Sequence, residues 1–402
     1  MNFSFSNRAP KILTGVMALG AVATVVGIMG DHTDHHQRTW ASLLVNGFFF
    51  LGITLGALFF YSLQNATETA WSVLVKRVFE GIMGFLPIGA IVMVVVLAAG
   101  SFGLHHIYHW MDARLYDPTD LEHYDAIIAN KKAFLDQGFY WARTLVYLGV
   151  FIFFARWFRK QSLAMDQMTG DSLVTRHLLV YRRSALFLVF FAVFSSTLSW
   201  DWLMSIDAHW FSTLYGWYVF SGMWVSAMIT AVTMVLYLKR KGYLPQVNNS
   251  HIHDMGKWVF AVSFLWSYLY FSQFMLIWYS NIPEEVTYFQ SRINEHPALL
   301  WGTFFINFAI PMVLLMSRDA KRNPRFLIGV GAVIFIGHWL DVNMMVMPGA
   351  LGHHFHGIGL LEVGMFVTFL GLFIYTVLNT LTKAPLTPVN HPYLEESVHH
   401  QI

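Results

Sequence analysis

The sequence predicts an all-α integral membrane protein of ten transmembrane helices, and three observations carry that reading. Of its 402 residues, 56% are hydrophobic and only 12% charged. A soluble domain needs roughly a quarter charged residues to hydrate its surface, so lipid must serve as solvent for much of this exterior. Apolar stretches recur ten times along the chain, each long enough to cross a hydrocarbon core of about 30 Å, which takes about 20 helical residues. Basic residues then alternate between the connections in step with those stretches. The net charge of +2 gives no reason to invoke nucleic acid, and the absence of cysteine excludes disulfides, thiolate-ligated iron–sulfur clusters and covalent c-type haem carried by this chain.

The spans fall near 11–30, 40–63, 81–103, 139–158, 184–206, 213–238, 258–279, 297–317, 325–347 and 357–380. They are helices, because unpaired backbone groups of an open sheet in lipid would cost several kcal/mol each. The first follows a short polar segment, Met1 to Pro10. A cleaved signal peptide competes, but no small-x-small cleavage site closes the run and further spans follow. Its small residues Gly15, Ala18, Ala23 and Gly27 predict packing against protein, since small side chains let helix backbones approach. The longest connection, 104–138, contains Pro118-Thr119-Asp120-Leu121-Glu122. A Thr three residues before a Glu resembles a capping box and predicts a surface helix from about 119 to 136. The His-bearing segment 384–402 reads as a cytoplasmic tail, disordered or bound to a partner.

With the N-terminus placed in the cytoplasm, the inner connections and inner helix ends hold 19 of the 25 Lys and Arg. Short cytoplasmic loops carry the excess of basic residues, so both termini are predicted inside. The outer connections are instead rich in His and acid: Asp31, His32, Asp34, His35 and His36; His105, His106 and His109; Asp207 and His209; His353, His354 and His356.

Ionisable groups within spans are the informative exceptions, because an Asp at mid-bilayer costs about 2.5–3.5 kcal/mol on insertion scales. Span 5 ends in Ser195-Ser196-Thr197-Leu198-Ser199-Trp200-Asp201-Trp202. There Ser195 with Ser199, and Thr197 with Asp201, stand one turn apart. Asp207 and His209 follow in the outer connection. Two readings stay open: a proton path reaching the outer surface, or hydroxyls bonded to their own helix with Asp201 capping a neighbour. Span 9 contains His338 and Asp341, three apart on one face. A carboxylate beside an imidazole suits proton relay. Glu362 lies in the outer third of span 10, and Glu80 stands beside Arg77 where span 3 begins; Asn307 lies within span 8. Buried acids without a matching number of buried cations predict a relay rather than ion-pair glue, with a satisfied structural network as the alternative.

A b-type haem needs a His on each of two facing helices, and only His338 lies well within a span, so no haem is expected. The His105–His109 and His353-x-x-His356 clusters lack the ligand spacing of a catalytic zinc site, and no metal is expected. Walker, Rossmann and G-x-S-x-G patterns are absent. Trp40, Trp110, Trp141, Trp210, Trp278 and Trp301 fall near outer boundaries, the place of interfacial anchors; an apolar quinone pocket would use the same residues.

The segments S-W-D-W-L-M-S-I-D-A-H-W-F-S-T (199–213) and G-H-W-L-D-V-N-M-M-V (337–346) resemble the NrfD-like membrane subunits of bacterial alternative complex III. The likeness is nearest to the second of the two such subunits, the ActF type, quinone-binding subunit 2 of a quinol:cytochrome c oxidoreductase. Ten spans, the length and the His-rich outer loops match along essentially the whole chain. The resemblance implies two four-helix bundles, spans 2–5 and 6–9, with the first and last helices outside them. It implies the bacterial inner membrane and a complex that oxidises menaquinol. Its expected partners are a second NrfD-like subunit, iron–sulfur and multihaem c-type cytochrome subunits, and a terminal oxidase. It places a quinol pocket at the outer end of the first bundle, where this chain has His105, His106, Asp136 and Arg143. Because the resemblance makes the first subunit the one that faces the iron–sulfur protein, the alternative it implies for the second is proton translocation or assembly, through Asp201, His338, Asp341 and Glu362. Relatives often carry an acid–arginine pair in span 9; here Val342 follows Asp341, which leaves the acid freer to titrate. A proton-coupled secondary transporter is the competing class, for which Pro87 and Pro311 are the candidate helix breaks.

Overall fold

The computed structural model describes residues 3–4 and 8–402; residues 1–2 and 5–7 of the polar segment ahead of span 1 lie outside these. Ten helices are long and apolar enough to cross a membrane, and no strand is present among the described residues. Spans 1 to 10 run Arg8–Met29, Asp34–Ala66, Trp71–Ser101, Gln137–Met165, Gly170–Trp202, Tyr215–Arg240, Asn249–Ser280, Pro297–Leu314, Pro324–His354 and Leu360–Leu381. Several outrun the apolar stretches that predict them. Span 5 starts 14 residues before 184, through Arg176, Arg182 and Arg183, because a helix continues past the hydrocarbon wherever charged side chains can hydrate its surface.

Two four-helix bundles form, each closed into a ring by its own spans, 2–5 and 6–9. Span 2 is the seam between them. It packs on spans 3 and 5 of its own bundle and on spans 6 and 9 of the other, which buries nearly every residue from Ala41 to Gln64. Spans 1 and 10 pair outside the bundles. A Cβ added at Gly20, Gly27 or Gly364 would overlap Thr368, Leu361 or Ala23–Thr24 of the opposing helix, so this pair depends on bare backbone. Gly15 faces open space; the small-residue seam runs through Gly20, Ala23 and Gly27 instead.

Two spans are interrupted. Span 3 breaks between Lys76–Met83 and Leu86–Ser101, with Pro87 in the first turn of the second piece, where a proline lacks the N–H and crowds the preceding turn. Span 8 contains a π-turn at Phe305–Ala309, just before Pro311.

The connection 104–138 does not form the expected helix over 119–136. It folds into short 3-10 turns and one helix, Ala126–Asn130. Thr119 donates to Asp117 Oδ1 at 2.6 Å rather than capping toward Glu122, and Asp125 is the true cap, accepting from the Ile127 and Ile128 N–H groups. An unanticipated helix, Pro283–Glu295, precedes span 8. Pro283 followed by Glu284 and Glu285 is a helix-start pattern that the search for long apolar runs passes over. Trp110 and Trp210 are buried and pack within the protein rather than anchoring it, whereas Trp278 and Trp301 are exposed.

The tail is ordered against the basic face, the end of the molecule where the Lys- and Arg-rich connections lie. Its helix Leu394–Val398 packs on residues 71–75. Ser397 Oγ donates to the Trp71 carbonyl at 3.0 Å, and His400 Nε2 meets Asp254 Oδ2 at 2.6 Å.

Candidate functional site

Four of the five candidate acids have arginine partners, so the expected shortage of buried cations is corrected. At the histidine-rich face, Arg38 from span 2 grips Glu362 with Nε at 2.7 Å and Nη2 at 3.0 Å. Glu362 also accepts from the Gly359 N–H at 2.7 Å, capping its own span 10. Arg143 of span 4 meets Asp201 of span 5 with Nη2 at 2.7 Å and Nε at 2.9 Å, and Tyr147 donates to the same carboxylate at 3.0 Å. Arg292, on the unanticipated helix, donates to Asp207 at 2.8 Å. At the basic face, Glu80 accepts from Arg77 at 3.2 Å, Arg159 at 3.3 Å and Ser162 at 2.5 Å. Each such pairing supplies charge and hydrogen bonds to a carboxylate that is buried or, at Asp207, half-buried. The span 5 hydroxyls do the same locally: Ser199 and Thr197 donate to the carbonyls of Ser195 and Val193.

Asp341 differs. It is buried in span 9 and has no Lys or Arg partner among the described residues. The Tyr218 hydroxyl donates to Oδ1 and the Trp266 indole N–H to Oδ2, the latter at 3.0 Å. His338 Nδ1 stands 4.0 Å from Oδ2, and neither ring nitrogen of this buried histidine has a hydrogen-bond partner. Between them and Phe48, Gly52 and Gly222 lies a cavity of about 20 Å³, room for one water. The cavity sits on the seam where span 2 meets spans 6 and 9. Asn307, in the π-turn of span 8, is buried with both amide atoms unpartnered. It presses on Gly337, next to His338, where a Cβ would overlap it.

A polar and aromatic line leads from Asp341 to the histidine-rich face. Tyr218 neighbours Tyr215 with ring centres 6.0 Å apart. Trp210 lies edge-on to Tyr215 at 5.7 Å and stacks on Tyr288 at 4.0 Å. The Arg292 guanidinium covers Tyr288 at 3.4 Å and reaches Asp207. Two acids that look separate in sequence thus end one continuous assembly. Toward the basic face, Ser226 and Thr230 of span 6 stand one turn apart, each bonded to its own helix.

The four candidate quinone residues stand in different surroundings. His105 is buried with both nitrogens engaged, Nε2 on the Val96 carbonyl at 3.0 Å and Nδ1 accepting from the Ile107 N–H at 3.3 Å. Burial holds its pKa below the ordinary histidine value, so it stays neutral. His106 is exposed against His35, their ring centres 4.7 Å apart. Asp136 caps span 4 through the Phe139 N–H at 2.9 Å. Arg143 lies over the Phe134 ring at 4.1 Å, and Phe134 walls a cavity of about 270 Å³ with Trp200, Met204, Trp210 and Phe211. His209 is held by Asp125 at 2.5 Å. No group of three or more His, Asp or Glu among the described residues is placed to hold a metal ion.

No protein-family model matches the chain, and no curated protein matches it. The site therefore rests on its own geometry. Sequence reasoning missed Tyr218, Trp266, Gly222 and Arg292. The first two are aromatics in an aromatic-rich chain, and no local pattern separates a carboxylate's donor from a packing ring.

Proposed function

We propose that this chain is a proton-conducting membrane subunit of a quinol-oxidising respiratory complex, with Asp341 and His338 as the central proton-exchanging pair. One observation carries the reading: among the described acids buried within the spans, Asp341 alone lacks an arginine or lysine partner, and it faces an unpartnered imidazole beside a one-water cavity. An arginine fork fixes a carboxylate by charge and hydrogen bonds, whereas a carboxylate held by neutral donors beside an imidazole suits proton exchange with that neighbour. A proton on His338 would pair with the Asp341 carboxylate. From there, Tyr218, Tyr215 and Tyr288 offer hydroxyls toward Arg292 and Asp207.

The likeness to NrfD-like subunits of alternative complex III supports the respiratory part, as does the division into two four-helix bundles. In this reading both termini face the cytoplasm, the basic face is the inner one, and the membrane is the bacterial inner membrane. Menaquinol, iron–sulfur and multihaem c-type subunits, a second subunit of the same type and a terminal oxidase are the implied company. The cavity beside Phe134, backed by the Arg143–Asp201 pair, is the apolar space suited to a quinone ring. The test is purification of the tagged full chain from its native membrane. Copurifying iron–sulfur and multihaem subunits with quinol:cytochrome c activity are expected; a lone homodimer without that activity overturns the respiratory reading.

The broken span 8, with unpartnered Asn307 in its π-turn, favours a second reading as a proton-coupled transporter, because such proteins bind substrate at helix breaks near the midplane. Substrate-driven proton uptake by the lone chain in vesicles would support it.

A further inference from the structure

The break in span 3 opens a groove at the basic face that the proton path does not use. Gly84 lets the broken helix press against span 10, where a Cβ would overlap Thr380. At the break, residues 80–87 of span 3 and 152–159 of span 4, with Thr380 and Lys383, enclose a cavity of about 220 Å³. Its lower wall is apolar, formed by Met83, Leu86, Pro87 and Ile152, and its rim holds Arg156, Arg159 and Lys383. Arg159 is tied down by Glu80 at 3.3 Å and by the Thr380 carbonyl at 3.0 Å. Arg156 and Lys383 are exposed, and neither side chain hydrogen-bonds or ion-pairs with a described residue. Glu80, the one acid lining the groove, is fully buried beneath Arg77, Arg159 and Ser162 and offers no negative surface to an incoming group.

We propose that this groove binds an anionic phospholipid, its phosphate between Arg156 and Lys383 and its acyl chains along spans 3 and 4. Charge complementarity commits the site to an anion, and position commits the anion to a lipid. The cations stand at the level where the basic connections meet the apolar spans, and the surface leading away from the cavity is apolar, with Ile91 and Phe153 exposed. Basic pockets between helices at such a level take lipid headgroups. A free phosphate would gain nothing from the wall of Met83, Leu86 and Ile152. The bound lipid would fill the space between spans 3 and 4 beside the break.

The experiment is native mass spectrometry of the full chain, with any subunits that copurify, from membranes containing phosphatidylglycerol and phosphatidylethanolamine. The wild type is expected to retain phosphatidylglycerol in preference. The Arg156→Ala/Lys383→Ala double variant should retain about tenfold less or lower still, while Arg156→Lys/Lys383→Arg retains it. Equal phosphatidylglycerol retention by the alanine variant, or equal retention of both lipids by the wild type, would overturn the proposal. Because the three proteins differ only at exposed side chains, matching elution on gel filtration separates a lost lipid from a lost fold.

Discussion

At the scale of single residues, the molecule distinguishes carboxylates by their company. Glu80, Asp201, Asp207 and Glu362 are locked by arginines, and removing Arg143 strands the buried charge of Asp201. Arg143→Ala is expected to cost about 3–5 kcal/mol, seen as a lowered thermal midpoint in micelles. Replacing both partners, as Arg143→Met with Asp201→Leu, should recover most of that loss. At Gly222 the expectation has the opposite sign for stability. An added methyl would sit 3.6 Å from His338 Nδ1 and 3.8 Å from Asp341 Oδ2, in ordinary contact but inside the cavity. Gly222→Ala should therefore stabilise span 6 by about 0.5–1 kcal/mol while slowing proton transfer about tenfold or more. Unslowed transfer would remove the cavity from the path. In the tail, burial first, then the charges of Lys76 and Arg77 and the neighbouring His177, push the His391 pKa down to about 2. An unfolded histidine titrates near 6.5, so docking of the tail is fully stabilised above that pH and weakens as pH falls toward the folded value. Opening of 391–398 should cost about 1 kcal/mol less at pH 5.5 than at pH 6.5. Hydrogen exchange checks this, and a His391→Phe variant should lose the dependence.

At the scale of elements, the spans were legible because hydrophobic length is a local property, and each apolar run contains the core of an observed helix. Their ends were less so, since helices such as span 5 continue into charged sequence. The arginine pairs were not legible. Arg38 and Glu362 lie 324 residues apart, Arg292 and Asp207 85, and Arg143 and Asp201 58. Nothing in a local window joins them. Asp341 and His338 could be read together because three residues of helix place them on one face, whereas Tyr218 and Trp266 come from other spans. The pairing of spans 1 and 10 also belongs to this scale. Gly364→Leu would drive a side chain into the Ala23–Thr24 backbone and is expected to release span 1, at a cost of about 1–3 kcal/mol. Faster proteolysis ahead of Asp31 in the folded variant would report it.

At the scale of the whole molecule, span 2 joins two bundles that carry different chemistry. The first bundle holds ion-paired acids at both ends, Asp201 toward the histidine-rich face and Glu80 toward the basic face. The second holds Asp341, which among the described acids buried within the spans is the one without an arginine or lysine partner, placed on the seam. This division leads to the central claim, that Asp341 exchanges protons while Asp201 holds structure. It is tested most directly by the number of protons released per electron during quinol oxidation by the complex proposed above, in sealed vesicles, with Asp341→Asn set beside Asp201→Asn. The expected result is a lowered ratio in Asp341→Asn with assembly intact, and a less stable complex with an unchanged ratio in Asp201→Asn. An unchanged ratio in Asp341→Asn would contradict the claim.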